Sequence, residues 1–482
     1  MRALLQTTAV IGTTEILLMG VALARNKYLA VTIGPEGFGI YGLLNSFFMM
    51  MAVFAGTWMA TGTTKYVAEY HAAGDQESAN KVFTFSVATT AGIALLLTAI
   101  LVVERKCFLA QFLSEDVKEN YYLIFCFAFV ALNLRPVLLA VLQGMRRVRE
   151  VVISRWSIAG LDLIFVVILV LLFGLAGFFV SLLLSACWAV VVMIWAVQRK
   201  DGLQLKKISC REPVIRLLLS FGGVNLFLAL INLGSQYLQR VIVLLNMDIL
   251  SVGLFQAGVA LMGYLGVVNR GTMFYYFPKM SELIDNNVRN QKINEYLRFL
   301  LIISIPLSVL AILFGRLAIS ILYSSAFDAL SSVFFWFVIG KFLNSVGGAF
   351  QMAIVGMARL KMHTASSIVI HSLWVIVPFL LVKKYGIGAL GMGFVAGGIA
   401  GPILNYFYLR RCIDLRLSGR VIRLFAVAAL TLTGTIILKD TIILWRIGWA
   451  IISCSLIGTS VSSEEWAKGY RYVLVRLGKS KI

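Results

Sequence analysis

The cationic side chains Arg25, Lys27, Arg135, Arg240, Arg270 and Lys341 fall inside long apolar runs of this chain, where the only carboxylates are Glu15 and Asp162. At the centre of a bilayer-spanning helix each would cost roughly 2.5–3.5 kcal/mol, so such residues are expected to face a water-filled cavity or a partner. The surplus of positive charge exceeds what pairing with two acids neutralises. It suits an anion. Phosphate or diphosphate is the natural class, because a guanidinium presents two parallel donors to it. Arg25, Arg270 and Lys341 lead the candidates for such a site, with Arg135 and Arg240 assisting. Lys27 and Arg240 stand near the ends of their runs, where snorkelling to the interface is the alternative.

A second set is neutral and polar. Asn225, Asn232, Gln236 and Gln239 share one face of a helix by their spacing. Amides so placed hydrogen-bond sugar hydroxyls or tie helices together. Asn225, Asn232 and Gln236 are therefore candidates for contact with sugars. Glu15 and Asp162 are candidates for exchanging a proton or sodium ion during a transport cycle.

Other chemistries find no support. The glycine-rich GPEGFGIYG at 34–42 opens an apolar run, and no Walker A motif occurs, so ATP hydrolysis is not expected. There is no HExxH, and the three histidines show no paired-ligand spacing. Cys107, Cys126, Cys187, Cys210, Cys412 and Cys454 form no CxxC and read as small packing residues. No metal, cofactor or catalytic group is expected.

These side chains must be positioned by membrane helices. The chain is 60% hydrophobic and 13% charged, where a soluble domain is nearer half apolar and a quarter charged. Its apolar runs are continuous and long enough to cross a bilayer, which excludes a β-barrel. They predict an all-α polytopic protein with about fourteen spans, over 7–33, 37–61, 82–103, 121–143, 154–173, 175–197, 214–245, 250–277, 299–314, 331–355, 364–382, 387–409, 424–438 and 441–460. The Ala-Leu-Ala at 22–24 resembles a signal-peptidase site, but Glu15 interrupts the preceding run, so a retained first helix is expected. Pro136, Pro378 and Pro402 mark expected kinks. Lys and Arg concentrate in alternate loops, which places those loops and both termini in the cytoplasm. The net charge of +21 is then mostly topology, and nucleic acid is not an expected partner.

The chain also repeats itself. GMRRVR at 144–149 returns as GMARLK at 356–361, an offset of 212. Gly174 meets Gly386 at the same offset, and at an offset of 214 Gly39 meets Gly253 and Asn80 meets Asn294. The reading is two parallel-repeat six-helix bundles around a central cavity: 1–213, then 214–420, followed by two extra helices and a basic tail over 421–482. Parallel repeats are one of the architectures of secondary transporters. The two hexamers are expected to be cytoplasmic turns whose basic residues set topology and touch anionic headgroups of membrane lipids.

Several segments carry a family resemblance. AVTIGPEGFGIYGLL at 30–44, TTKYVAEYHA at 63–72, LLAVLQGMRR at 138–147, YYFPKMSEL at 275–283 and LYSSAFDALSSVFFWFVIGKFL at 322–343 resemble, in order, Wzx-type flippases of O-antigen and lipid III units. The wider superfamily includes multidrug exporters and the lipid II flippase, whose arginine-bearing first span RNKYLAVTIG at 25–34 also resembles. The resemblance implies a substrate, an undecaprenyl-diphosphate-linked oligosaccharide, moved from the cytoplasmic to the periplasmic leaflet of the inner membrane. It supports Arg25 as a substrate contact. A polysaccharide polymerase and a chain-length regulator are expected to act beside such a protein. The expected driving force is the membrane potential, or exchange for a proton or sodium ion. A multidrug exporter of the same superfamily is the alternative, but its cationic drugs call for acidic cavity residues. A glycan polymerase or ligase needs a large external loop with catalytic residues, and the longest here, 104–120, is short.

Overall fold

The computed structural model describes residues 2–112, 117–199, 203–204, 213–266 and 285–458, with isolated positions between 267 and 284; for 2–13, 15–16, 57, 111–112 and 213–225 the description is of the backbone. Among the described residues about 91% are helical and none is in a strand. The helices run α1 Arg2–Thr32, α2 Gly34–Ala52, α3 Met59–Ala72, α4 Gln76–Val103, α5 Arg105–Phe112, α6 Glu119–Gly144, α7 Val148–Gln198, α8 Pro213–Asn246 and α9 Ile249–Leu265. They continue with α10 Asn286–Leu313, α11 Gly315–Leu322, α12 Phe334–Gly356, α13 Leu360–Tyr385, α14 Gly388–Ile413, α15 Gly419–Leu438 and α16 Ile443–Gly458.

Among the described residues ten helices are long and apolar enough to cross a membrane, and α9 and α16 are shorter apolar helices. The expected pair of spans at 154–173 and 175–197 lies within α7, interrupted at Gly174 (φ 57°, ψ −133°). That left-handed conformation is open to glycine at little cost. The expected loop at 104–120 contains α5. The second expected span is also uneven, because α2 runs into a π-helical turn at Val53–Thr57 before α3 begins. Pro136, Pro378 and Pro402 lie inside α6, α13 and α14.

Local chemistry accounts for several helix starts. Asp75 accepts a hydrogen bond from the Ser78 amide at 3.0 Å, and Asp285 one from Asn287 at 2.8 Å. Each satisfies an amide that the first turn leaves without a partner.

The repeated hexamers close matching turns. Leu142 accepts from the Arg147 amide and Gln143 from Arg146, while Ile354 accepts from Arg359 and Val355 from Ala358. In both turns the residue after the helix, Arg146 or Ala358, is left-handed, at φ 56° and 55°. This pair of bonds is the Schellman arrangement that ends a helix. Asn80 and Asn294 match as well. The Asn80 carboxamide accepts from the Gln204 amide and that of Asn294 from the Ser418 amide, both at 2.7 Å. The two donors stand at the same repeat offset as the two acceptors.

By packing, the chain forms two compact units. One comprises Met1–Ala257, Ser320–Ala329 and Pro378–Ile387, the other Gly258–Ile319, Leu330–Val377 and Gly388–Ile482. The first has an aromatic core in which Phe48 stacks on Phe125 with ring centroids 4.6 Å apart, beside Tyr122 and Phe129. In the second, glycines of α14 admit the Cβ of Trp336, the indole of Trp374 and the ring of Phe337. Close approach over small residues is how helices associate where lipid has replaced water. Large apolar side chains such as Leu171 and Leu444, about three-quarters exposed, form the surface a helix offers to acyl chains.

Candidate functional site

Arg25 in α1 and Asp162 in α7 lie far apart in the chain, and the fold brings them together. The Arg25 Nε stands 2.8 Å from Asp162 Oδ2, with both side chains about four-fifths buried. The Arg25 guanidinium also lies over the Phe178 ring, 5.6 Å from its centroid. Phe178 packs edge-on against Tyr41 of α2, at 5.1 Å. Two opposite charges placed side by side each lower the cost of holding the other inside a bilayer. The leading cation of the expected anion site is thus already opposed by one of the two expected ion-coupling carboxylates.

The same cluster reaches two further arginines. Tyr41 is within electrostatic reach of Arg25, Asp162 and Arg240, and Arg135 of α6 is within reach of Asp162 and of Arg155. Arg25 and Arg135 therefore both lie near Asp162 in the first unit, with Arg240 reached through Tyr41 and Arg155 through Arg135. Arg135, exposed beside Pro136, is the accessible member.

Arg240 departs from the snorkelling alternative. It is buried, at 3% exposure, and its Nε donates to Gln256 Oε1 at 3.2 Å while Nη2 donates to the same oxygen at 2.5 Å. Its Nη1 donates to the Gln236 carbonyl at 2.7 Å, and the guanidinium lies over Phe255 at 5.4 Å. Gln256 is uncharged and was not among the expected residues, yet it is the side chain that holds this cation. Its one sequence signal is the repeat, since an offset of 214 pairs it with Gly42, and a side chain at Gly42 would meet Gln256 at 3.0 Å.

Lys27 also has fixed partners. Its amine donates to the carbonyls of Ser320 and Tyr323 at the end of α11, where a helix presents unsatisfied carbonyls and negative dipole. On α8, the Gln236 amide donates to the exposed Asn232 side chain at 2.8 Å, and Gln239 is buried. Lys341 belongs to the second unit. It is half-buried on α12 with its amine against Gly266, where a Cβ would lie 2.9 Å away. Arg270 and the side chains of Glu15 and Asn225 lie outside the described residues.

The arrangement of helices has counterparts among solved structures. An inward-facing multidrug resistance MATE transporter of the MOP superfamily superposes with a TM-score of 0.73 at 15% identity, covering 82% of this chain and 94% of that one. A Pyrococcus furiosus MOP transporter with reverse polarity of its binding pocket gives 0.66 at 15% identity, with 85% and 95% covered. The fold is that of the MOP transporter superfamily. Within it, the model of the polysaccharide biosynthesis protein family matches residues 28–332, and the chain belongs to that family. The lipid III flippase of Escherichia coli K12 is 24% identical over 380 residues, 77% of this chain and 89% of the relative. A Shigella flexneri protein named for O-antigen transport is 22% identical over 418 residues, 81% and 94% respectively.

Proposed function

We propose that this protein flips an undecaprenyl-diphosphate-linked oligosaccharide, the repeat unit of a surface polysaccharide, from the cytoplasmic to the periplasmic leaflet of the bacterial inner membrane by alternating access. One observation carries the reading: Arg25 and Arg135 both lie near Asp162, with Arg240 beside Tyr41 and Arg155 beside Arg135, so that among the described residues cations outnumber carboxylates in this bundle of membrane helices. Such a bundle holds net positive charge that a diphosphate neutralises and a cationic drug does not. The relatives named for lipid III and O-antigen support the choice of anion.

In this mechanism the diphosphate displaces Asp162 from Arg25 and engages Arg135, the exposed member. Arg270 and Lys341 supply charge from the second half of the chain. Arg240, fixed by Gln256, acts through its field unless Gln256 turns away. Asn225, Asn232 and Gln236 meet the sugars, and the polyprenyl chain stays in lipid. An inside-negative potential favours outward movement of an anion by about 2.3 kcal/mol per charge per 100 mV. Alternatively a proton or sodium ion enters on Asp162 or Glu15. Both termini face the cytoplasm, and a polymerase and a chain-length regulator take up the product.

The test uses proteoliposomes loaded with an undecaprenyl-diphosphate oligosaccharide and a sugar-modifying enzyme outside. Protein-dependent exposure, accelerated by an imposed potential and lost in Arg25→Ala, is expected. Exposure at the protein-free rate, from a folded preparation under every gradient, would reject the reading.

A further inference from the structure

A pocket of about 1370 Å³ opens in the second unit, between the start of α10 and the segment joining α14 to α15. It shares no residue with the Arg25 cluster. The joining segment is strapped to α10 by two asparagines. Asn290 Nδ2 donates to the carbonyls of Ile413 and Asp414, both at 3.1 Å, and Asn294 Nδ2 to that of Arg416 at 2.9 Å. Asn294 Oδ1 accepts from the Ser418 amide at 2.7 Å. Between these straps Asp414 takes a left-handed φ of 49°, a conformation aspartate tolerates better than most residues. The result is a held loop, not a loose one.

That loop and the start of α15 bring Arg416, Arg420 and Arg423 to the pocket, and α10 contributes Arg298. Two carboxylates also line it, and both have cationic partners: Glu295 pairs with Lys292, and Asp414 with Arg416 at 2.8 Å. Among the described residues no carboxylate lies within ion-pair distance of Arg420 or Arg423, and both are exposed. Phe299 and Ile302 continue the α10 wall from Arg298 toward the apolar part of the helix. The pocket thus combines a cluster of guanidiniums with an apolar wall on a membrane-spanning helix. A smaller pocket, about 250 Å³, shares Ile413 and carries Arg289 and Arg359, the latter from the repeated hexamer.

We propose that this pocket is a binding site for the phosphate headgroup of an anionic membrane lipid. Arg298, Arg420 and Arg423 contact the phosphate oxygens, for which the guanidinium fork is suited, and the first carbons of the lipid chain lie against Phe299 and Ile302. A free phosphate would leave that apolar wall unused, which is why the lipid is favoured as the source. The site stands independently of what the protein transports.

The experiment is native mass spectrometry of the full chain in mixed micelles, titrated with phosphatidylglycerol or phosphatidylcholine. Wild type is expected to retain phosphatidylglycerol in preference. Arg420→Ala combined with Arg423→Ala is expected to weaken that retention about tenfold or more, the scale of a lost charge-assisted contact. Lys439→Ala, which removes a cation outside the pocket, should leave it unchanged. Arg420→Gln combined with Arg423→Gln keeps most of both stems and must show the same loss, with an unchanged melting temperature. Excess inorganic diphosphate should displace the lipid. Equal retention of the two lipids, or wild-type retention in both double variants, overturns the proposal. Binding of diphosphate without retention of phosphatidylglycerol overturns it too, by assigning the pocket to a soluble anion.

Discussion

Gly39 and Gly253 face each other's helices in a contact that maps onto itself when the two repeats are exchanged. A Cβ at Gly39 would lie 2.0 Å from the Ile249 carbonyl oxygen, and one at Gly253 would lie 1.8 Å from that of Pro35. Pro35 and Ile249 stand at the same repeat offset as the two glycines. In such isologous packing each partner presents the same patch to the other, here within one chain. The backbones of α2 and α9 meet with no room for a methyl group.

Gly39→Ala and Gly253→Ala should therefore each force the helices apart. The expected loss is about 1–3 kcal/mol apiece, the usual range for overpacking. Melting of the detergent-solubilised variants checks it. Gly263→Ala, at a position with nothing within 4 Å of a Cβ, should melt near the wild-type temperature.

The Arg25–Asp162 pair predicts a non-additive series. Arg25→Ala leaves a largely buried carboxylate without its partner and Asp162→Ala leaves a guanidinium, so each single change should destabilise more than the neutral double change. For transport, Arg25→Ala should slow flipping by at least about tenfold, equivalent to losing one strong contact in the pathway. If Asp162 carries the coupling ion, Asp162→Asn should abolish any response to a proton or sodium gradient while sparing the response to potential. The gradient assays in proteoliposomes separate these outcomes.

Gln256 is a positioning residue for Arg240. Gln256→Leu removes the acceptor of two guanidinium hydrogen bonds, and a buried donor left without a partner costs about 1–3 kcal/mol. Gln256→Glu should instead form an ion pair and cancel part of the local positive charge. Thermal stability is then expected to hold while the rate of diphosphate-lipid flipping falls.

Asp75, in the turn before α4, gives a pH-dependent prediction. The Ser78 hydroxyl, then the Ser78 amide, favour its charged form and hold its carboxyl below the usual carboxylate range. A carboxylate whose pKa is lower in the folded than in the unfolded state stabilises the fold above the unfolded value, about 4, and that contribution is lost as pH falls through the lower, folded value. Asp75→Ala should lower the melting temperature at pH 7, and the gap from wild type should shrink as pH drops below 4. A gap independent of pH would exclude the carboxylate as its source.

Much of this protein was legible in its sequence. Hydropathy runs are a direct record of the solvent each segment must meet, so the helical membrane class follows from composition and length. The repeat was equally legible, because matching turns need matching residues. Arg147 and Arg359 stand at the same position of the same Schellman turn, and Asn80 and Asn294 tie down loops at matching places in the two copies. The surplus of intramembrane cations was visible too, since charge is a property of residue type. What the sequence could not contain was the rotation of each helix about its axis. That rotation turned Arg25 toward Asp162, buried Arg240 against Gln256 and set Lys27 on the carbonyls of α11. Side chains as distant along the chain as Arg25 and Asp162 are neighbours only once two helices have packed, and a neutral glutamine gains its importance only from the guanidinium beside it. The sequence by itself determined the solvent, the helices and the sign of the charge; tertiary packing decided which charges meet, because direction in space is set by contacts and not by order along the chain.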